Sequence, residues 1–232
     1  MLRYLIVNAD DFGLSRSVNR GIIEAAERGI LTSASLMVRY PAASEAAGYA
    51  KTNRAFSVGL HVDLGEWMYR NGEWELLYEV VPANDAEMVK AEIEKQLRQF
   101  EELVGGPPDH LDSHQHAHRN EPVRGIMMDL AHRLSIPLRE CSPEVHFCGS
   151  FYGQTGEGEP LPDALTTGNL ITIVKSLPEG TTELGCHPGY ADDLKSVYCH
   201  EREQELKVLC DPEVKDALKD FGIKLRGFSK NR

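Results

Sequence analysis

The chain has 232 residues, 41% hydrophobic and 26% charged, enough apolar sequence to bury a sizeable core without disulfide or metal staples. Its formal net charge of −11 argues against nucleic acid or an anionic membrane as partner and suits a neutral small substrate. The cysteines, Cys141, Cys148, Cys186, Cys199 and Cys210, are odd in number with no CxxC pair, so they are expected as reduced thiols of a cytoplasmic protein. The N-terminal LRYLIV is too short for a signal peptide, and no apolar run approaches the ~20 residues of a membrane span.

Residues 2–8 (LRYLIVN) predict a buried strand. SRSVNRGIIEAAERG follows as a helix, with Val18, Ile22, Ala25 and Ala26 on one face and Gly29 at its stop. ILTSASLMV reads as a second strand and PAASEAAGYAK as a second helix with Pro41 near its start. In FSVGLHVDL, 56–64, Phe56, Val58, Leu60, Val62 and Leu64 share one face; Ser57, Gly59, His61 and Asp63 share the other. That alternation suits a barrel strand, helices on one side and the interior or mouth on the other. Residues 65–83 hold Trp67, Trp74 and the pair Asn71-Gly72, and predict a long loop or short hairpin. A helix is predicted over 84–104. Asn84 caps it with Glu87 three residues on, Val89, Ile93, Leu97, Phe100 and Val104 line one face, and Gly105-Gly106-Pro107 end it.

HLDSHQHAH, 110–118, reads as a strand end running into a loop, EPVRGIMMDLAHRL as a helix with Pro122 in its first turn, and IPLRE as a short strand. Residues 141–162 are rich in Gly and Pro and predict a second long loop. A helix over 163–177, a strand over 181–187, helix over most of 200–220 and a last strand in IKLRGFS complete the chain. About seven strands alternating with helices imply a parallel sheet. A closed or nearly closed barrel fits the length, with an open doubly wound sheet as the alternative. The first strand is not followed by GxGxxG, which weakens a nucleotide-binding version.

The unusual ionisable residues lie where strands end, the active-site face of parallel α/β folds. Asp10 and Asp11 end the first strand, and His61 lies near the end of the third. Asp112, His114, His116 and His118 follow, then His187 in CHPGY. Singly, each has a plain reading: the Asp pair as a cap for the next helix, a lone His as a loop residue. Together they say more. On an extended strand His114, His116 and His118 share one face with Asp112, which points to a metal or proton-transfer site. One carboxylate plus two imidazoles is a common ligand set for a catalytic divalent ion with open positions, and a second carboxylate can then take a proton from water. That would explain why two repelling carboxylates stand side by side. His110, His132 and His146 read as structural or surface residues, and His200 as a helix start.

NADDFG at 8–13, GLHVDL at 59–64, HLDSHQHAH at 110–118 and CHPGY at 186–190 together resemble the YdjC/ChbG-like carbohydrate deacetylases. The resemblance implies an α/β fold of TIM-like (β/α) barrel type, one domain over 1–232, and removal of N-acetyl groups from sugars such as chito-oligosaccharides. It implies one divalent metal ion, Mg²⁺ by family, although the His ligands favour Zn²⁺ or another transition metal. Asp11, His61 and His114 would bind the metal, Asp10 would be the general base, and His187 the general acid. The expected partners are an acetylated oligosaccharide or amino sugar and a second copy of the chain in a homodimer. Arg139 is a weaker candidate to orient Asp10 or a substrate oxygen. Trp67 and Trp74 could stack on sugar rings, with ordinary loop packing slightly favoured for each. Two alternatives stand: a metal-dependent phosphoesterase, which commonly holds two or three metals and needs basic residues for phosphate, and a non-catalytic sugar-binding module of the same fold.

Overall fold

The computed structural model describes residues 2–70, 72–194, 196 and 198–228. Its strands are β1 (Arg3–Phe12), β2 (Ser33–Leu36), β3 (Ser57–Val62), β4 (Gly65–Arg70), β5 (Glu73–Glu79), β6 (Leu111–Ser113), β7 (Val145–Cys148), β8 (Gly180–Cys186) and β9 (Ile223–Leu225). Seven of them form one parallel sheet in the order β6-β3-β2-β1-β8-β7. β9 joins beside the first residues of β1, below β2 on the same side. The sheet curls into a half-barrel, the incomplete form of the expected TIM-like barrel. Leu138 makes one parallel bridge to Leu111 beyond β6, and no ladder among the described residues joins it to β7, so the barrel stays open there.

The helices are α1 (Arg16–Arg28), α2 (Ala43–Thr52), α3 (Ala86–Val104), α4 (Val123–Leu134), α5 (Thr167–Ser176), α6 (His200–Leu209) and α7 (Pro212–Asp220). Ser15 caps α1 by accepting from the Val18 N–H, so the Asp10–Asp11 pair is free of that duty. The cap of α3 is Asp85, one residue past the expected Asn84: its carboxylate accepts from the Met88 N–H. Val89, Ile93, Leu97 and Phe100 are buried as the helical spacing requires, and α3 packs on β3. Each such side chain contributes about 1.5–3 kcal/mol.

Two further expectations change. IPLRE gives only the bridge at Leu138, and the seventh strand is instead β7, VHFC, inside the stretch expected as loop. Four residues of β-forming sequence suffice because β8 supplies a ready edge. Within the segment 65–83, β4 and β5 form an antiparallel hairpin off the main sheet; Asn71 of the predicted Asn71-Gly72 pair lies outside the described residues, as does Ser229 of the last predicted strand. No helix among the described residues is long and apolar enough to cross a membrane.

Candidate active site

β1 ends in an irregularity. Its register against β2 shifts between Ala9 and Phe12, and Asp11 takes φ 66°, a left-handed conformation that Asp tolerates better than most residues. In a regular strand Asp10 and Asp11 would face opposite sides. The shift breaks that alternation, and both carboxylates come within reach of the same His61.

Asp11 is almost fully buried. Its Oδ2 accepts from Arg202 Nη2 at 2.5 Å, reached across from α6. Its Oδ1 has no hydrogen-bond partner and stands 3.5 Å from His61 Nε2 and 3.3 Å from His114 Nδ1. Burial would raise the Asp11 carboxyl, but the Arg202 guanidinium and the two imidazoles outweigh it and hold it well below the usual range. His61 is set by register: it lies directly opposite Asp112 on β6, and its Nδ1 bonds Asp112 Oδ1 at 2.7 Å. A carboxylate on one ring nitrogen orients the other towards a ligand. Gly59, two residues earlier, leaves room for the His110 ring, which a Cβ would meet at 2.5 Å.

Asp10 is held differently. Arg139 donates to both of its oxygens, at 2.7 Å each, and Asn8 Nδ2 adds a bond to Oδ1 at 3.1 Å. The same guanidinium reaches Asp112 at 2.8 Å and Glu183 at 2.6 Å. Burial pulls Asp10 up, and Arg139 outweighs it, leaving the carboxyl below its ordinary value. Glu183 shares the guanidinium less favourably: burial pushes it up to about 7.

His187 follows β8, whose Cys186 lies in register with Ala9; that places Nε2 3.8 Å from Asp10 Oδ2. The loop rests directly on α1, since a Cβ on Gly21 would lie 2.5 Å from Gly189 Cα. Glu205 accepts from the His187 backbone N–H and from Tyr198 Oη, and the Tyr152 and Tyr198 rings flank the imidazole. Burial pushes His187 down to about 4 and Glu205 up to about 8.

The donor set fits a divalent cation at Asp11, His61 and His114. Their ligand atoms lie within 4.8 Å of one another. The orphaned Asp11 Oδ1 points between the two imidazoles, and two imidazoles with one carboxylate form an open ligand set. The surrounding carboxylates outweigh burial enough to raise His61 and to push His114 up to about 9, the field in which a cation replaces protons. Asp10, His61 and Asp112 are also close together, but Arg139 and the His61–Asp112 bond already occupy that group.

The model of the family described as YdjC-like protein matches residues 4–220. The chain belongs to this YdjC-like family. A carbohydrate deacetylase of Geobacillus stearothermophilus is 35% identical over 97% of this chain and 96% of its own length. A chitooligosaccharide deacetylase of Serratia marcescens is 31% identical, over 98% and 99%. Among solved structures, an Enterococcus faecalis V583 protein named for cellobiose-phosphate cleavage superposes with a TM-score of 0.79 at 26% identity, covering 98% of each chain. A family 4 carbohydrate esterase from Streptomyces lividans shares the fold, with a TM-score of 0.56 at 13% identity over 96% of this chain and 91% of that one.

In this YdjC-like chain the structure brings Asp10, Asp11, His61, His114 and His187 to one mouth, and Arg139 with them. It separates the rest of the histidine run. After β6 the chain enters a 3₁₀ turn, His114–Arg119, with Gln115 and His116 at φ 48° and 52°, so the three imidazoles do not share a face with Asp112. Only His114 meets Asp11; His116 and His118 turn towards Glu140. His110 is buried against Phe228, His132 and His146 are exposed, and His200 opens α6. Sequence reasoning missed Arg202, Glu205 and Glu183. The first two had a signal: Arg202, Glu205, Leu206 and Leu209 are buried at helical spacing, so two charges occupy the inward face of α6.

Proposed function

We propose that this chain is a metal-dependent carbohydrate deacetylase that hydrolyses the N-acetyl group of an acetylated amino sugar or chito-oligosaccharide. The observation that carries the reading is the unpartnered, buried Asp11 Oδ1 between two imidazoles, beside a second carboxylate that Arg139 keeps ionised. The names of the relatives agree with it. A divalent ion held by Asp11, His61 and His114 would supply a Lewis acid, polarising the acetamide carbonyl and lowering the pKa of water. Asp10 Oδ2 accepts the proton of the attacking water. Arg139 fixes that carboxylate in direction and charge. His187 is neutral at rest because burial depresses it, so it gains its proton during turnover from Asp10, 3.8 Å away, and passes it to the leaving nitrogen. Acetate and a free amine depart.

Trp67 is the better candidate to meet a sugar ring. Gln115 bonds its backbone N–H and C=O at 2.9 and 2.7 Å, clipping the hairpin to the turn that presents His114, whereas Trp74 is 59% exposed. A phosphoesterase has less support: Arg139 and Arg202, the guanidiniums at the site, are both committed to carboxylates. The ion is assigned as Mg²⁺ on the family resemblance, with Zn²⁺ favoured by the donor set. We read 1–232 as one such domain, acting in the cytoplasm, which the free cysteines support. We read it also as a homodimer, supported by the exposed Trp74, Leu76 and Leu77 of β5.

Acetate release from N-acetylated chito-oligosaccharides, measured with chelator and then with single metals added back, tests the activity. Release that a chelator abolishes and one ion restores is expected. No release with any ion, on a panel of acetylated sugars, would overturn it.

A further inference from the structure

The part of the histidine run that turns away from the active site makes a second cluster. His118 is fully buried. Its Nδ1 bonds Ser113 Oγ at 2.6 Å, which fixes the ring and aims Nε2 outward, towards Glu140 Oε2 at 3.7 Å. That Nε2 is buried and has no hydrogen-bond partner, and neither has His116 Nδ1. A buried polar atom left unsatisfied costs about 1–3 kcal/mol, so one on each of two neighbouring imidazoles in a group with Glu140 calls for a ligand. The backbone adds to this: Gln115, His116 and Glu140 all take left-handed φ values, 48°, 52° and 60°. None is glycine, and such strain persists where something else requires the geometry.

We propose that His116, His118 and Glu140 form a second divalent-metal site, of the zinc class, separate from the Asp11 group. One ligand atom from each lies within 4.8 Å of the others. Ligands bound to one zinc at about 2.0–2.2 Å stand about 3–4 Å apart, so the cluster has to close by at most about 1–2 Å. Two imidazoles and a carboxylate favour a transition metal over Mg²⁺ or Ca²⁺ and leave a coordination position open. Arg119 is the competitor, donating to both Glu140 oxygens at 2.6 and 2.8 Å. Its side chain is half-exposed, so its release from Oε2 into water costs little. The nearby Arg139 is already matched by Asp10, Asp112 and Glu183.

The two metal groups share no residue. They share chain segments: His116 and His118 follow His114, and Glu140 follows Arg139. An ion here would clamp the turn that presents one catalytic ligand to the segment that orients the base.

The test is a count of ions. Metal-free protein is loaded with Zn²⁺, cleared of excess, and analysed for zinc per chain; Co²⁺ absorption reads the coordination. The wild type is expected to hold two ions. His116→Ala and Glu140→Gln should each hold one, with an unchanged circular dichroism spectrum; Glu140 is at the surface, so its variant tests the site without emptying the core. Asp11→Asn, measured in parallel, empties the other group only, so the two assignments fail separately. A zinc content that neither His116→Ala nor Glu140→Gln lowers from the wild-type value would overturn the proposal, whatever Asp11→Asn does.

Discussion

Asp10 and Asp11 are neighbours in sequence, both buried, both faced by an arginine, and both held below the usual carboxylate range, but they are left with different hydrogen bonding. Arg139 takes both oxygens of Asp10 and binds two further carboxylates besides. Arg202 takes one oxygen of Asp11 and leaves the other bare between two imidazoles. A carboxylate gripped on both oxygens is aimed and kept ionised; one gripped on a single oxygen keeps a coordination position. The number of hydrogen bonds, more than the residue type, divides the proposed base from the proposed ligand.

The largest expected effect is on the grip itself. Arg139→Met leaves Asp10, Asp112 and Glu183 buried around an apolar side chain, and breaking a buried ion pair from one side costs about 3–5 kcal/mol. Arg202→Met strands one carboxylate oxygen and should cost less. Urea unfolding of both compares them, and equal losses would remove the distinction between the two cradles. Next is the chemistry. Asp10→Asn should lower kcat by about 10²–10⁴-fold while keeping its catalytic metal, whereas Asp11→Asn should lose that metal. Turnover near wild type in Asp10→Asn would sink the base assignment. Smaller again is Asp112→Asn. It touches neither substrate nor ion, but it frees the His61 ring, and loss of such an orienting carboxylate typically weakens metal binding about 10–100-fold. Isothermal titration with Zn²⁺ reads it directly.

How much of this lay in the sequence follows from distance along the chain. The proposed metal ligands and the proposed base were legible as candidates because each sits at or near the end of a strand whose apolar run is visible: LIV before Asp10, VGL before His61, the strand end before His114. Parallel topology then brings the ends together. The inward place of Arg202 on α6 had a signal in the helical spacing, but its partner did not, because it meets Asp11 across 191 positions. The split of His114 from His116 and His118 depends on two left-handed residues, Gln115 and His116; neither is the Gly that announces such a turn, so an extended reading was the natural one. β7 was hidden among glycines and prolines because its edge partner, β8, comes later in the chain.

The smallest effect separates the third carboxylate around Arg139 from the other two. Asp10 and Asp112 are held below their ordinary values, burial being outweighed by Arg139. They contribute stability that is present above the unfolded pKa of about 3.9 and is lost as pH falls. Glu183 has the opposite sign. Burial pushes it up to about 7, so between the unfolded value and that pH the native state binds a proton the unfolded chain lacks. Its contribution is full below about pH 4.3 and fades as pH rises through 7. For one such proton the loss is about 1 kcal/mol between about pH 6 and pH 8. Glu183→Gln keeps an oxygen for Arg139 and removes this one titration, so across that range its stability in urea should change by about 1 kcal/mol less in the falling direction than the wild type's. Parallel declines in the two proteins would mean that Glu183 is ionised throughout, and that Arg139 holds all three carboxylates alike.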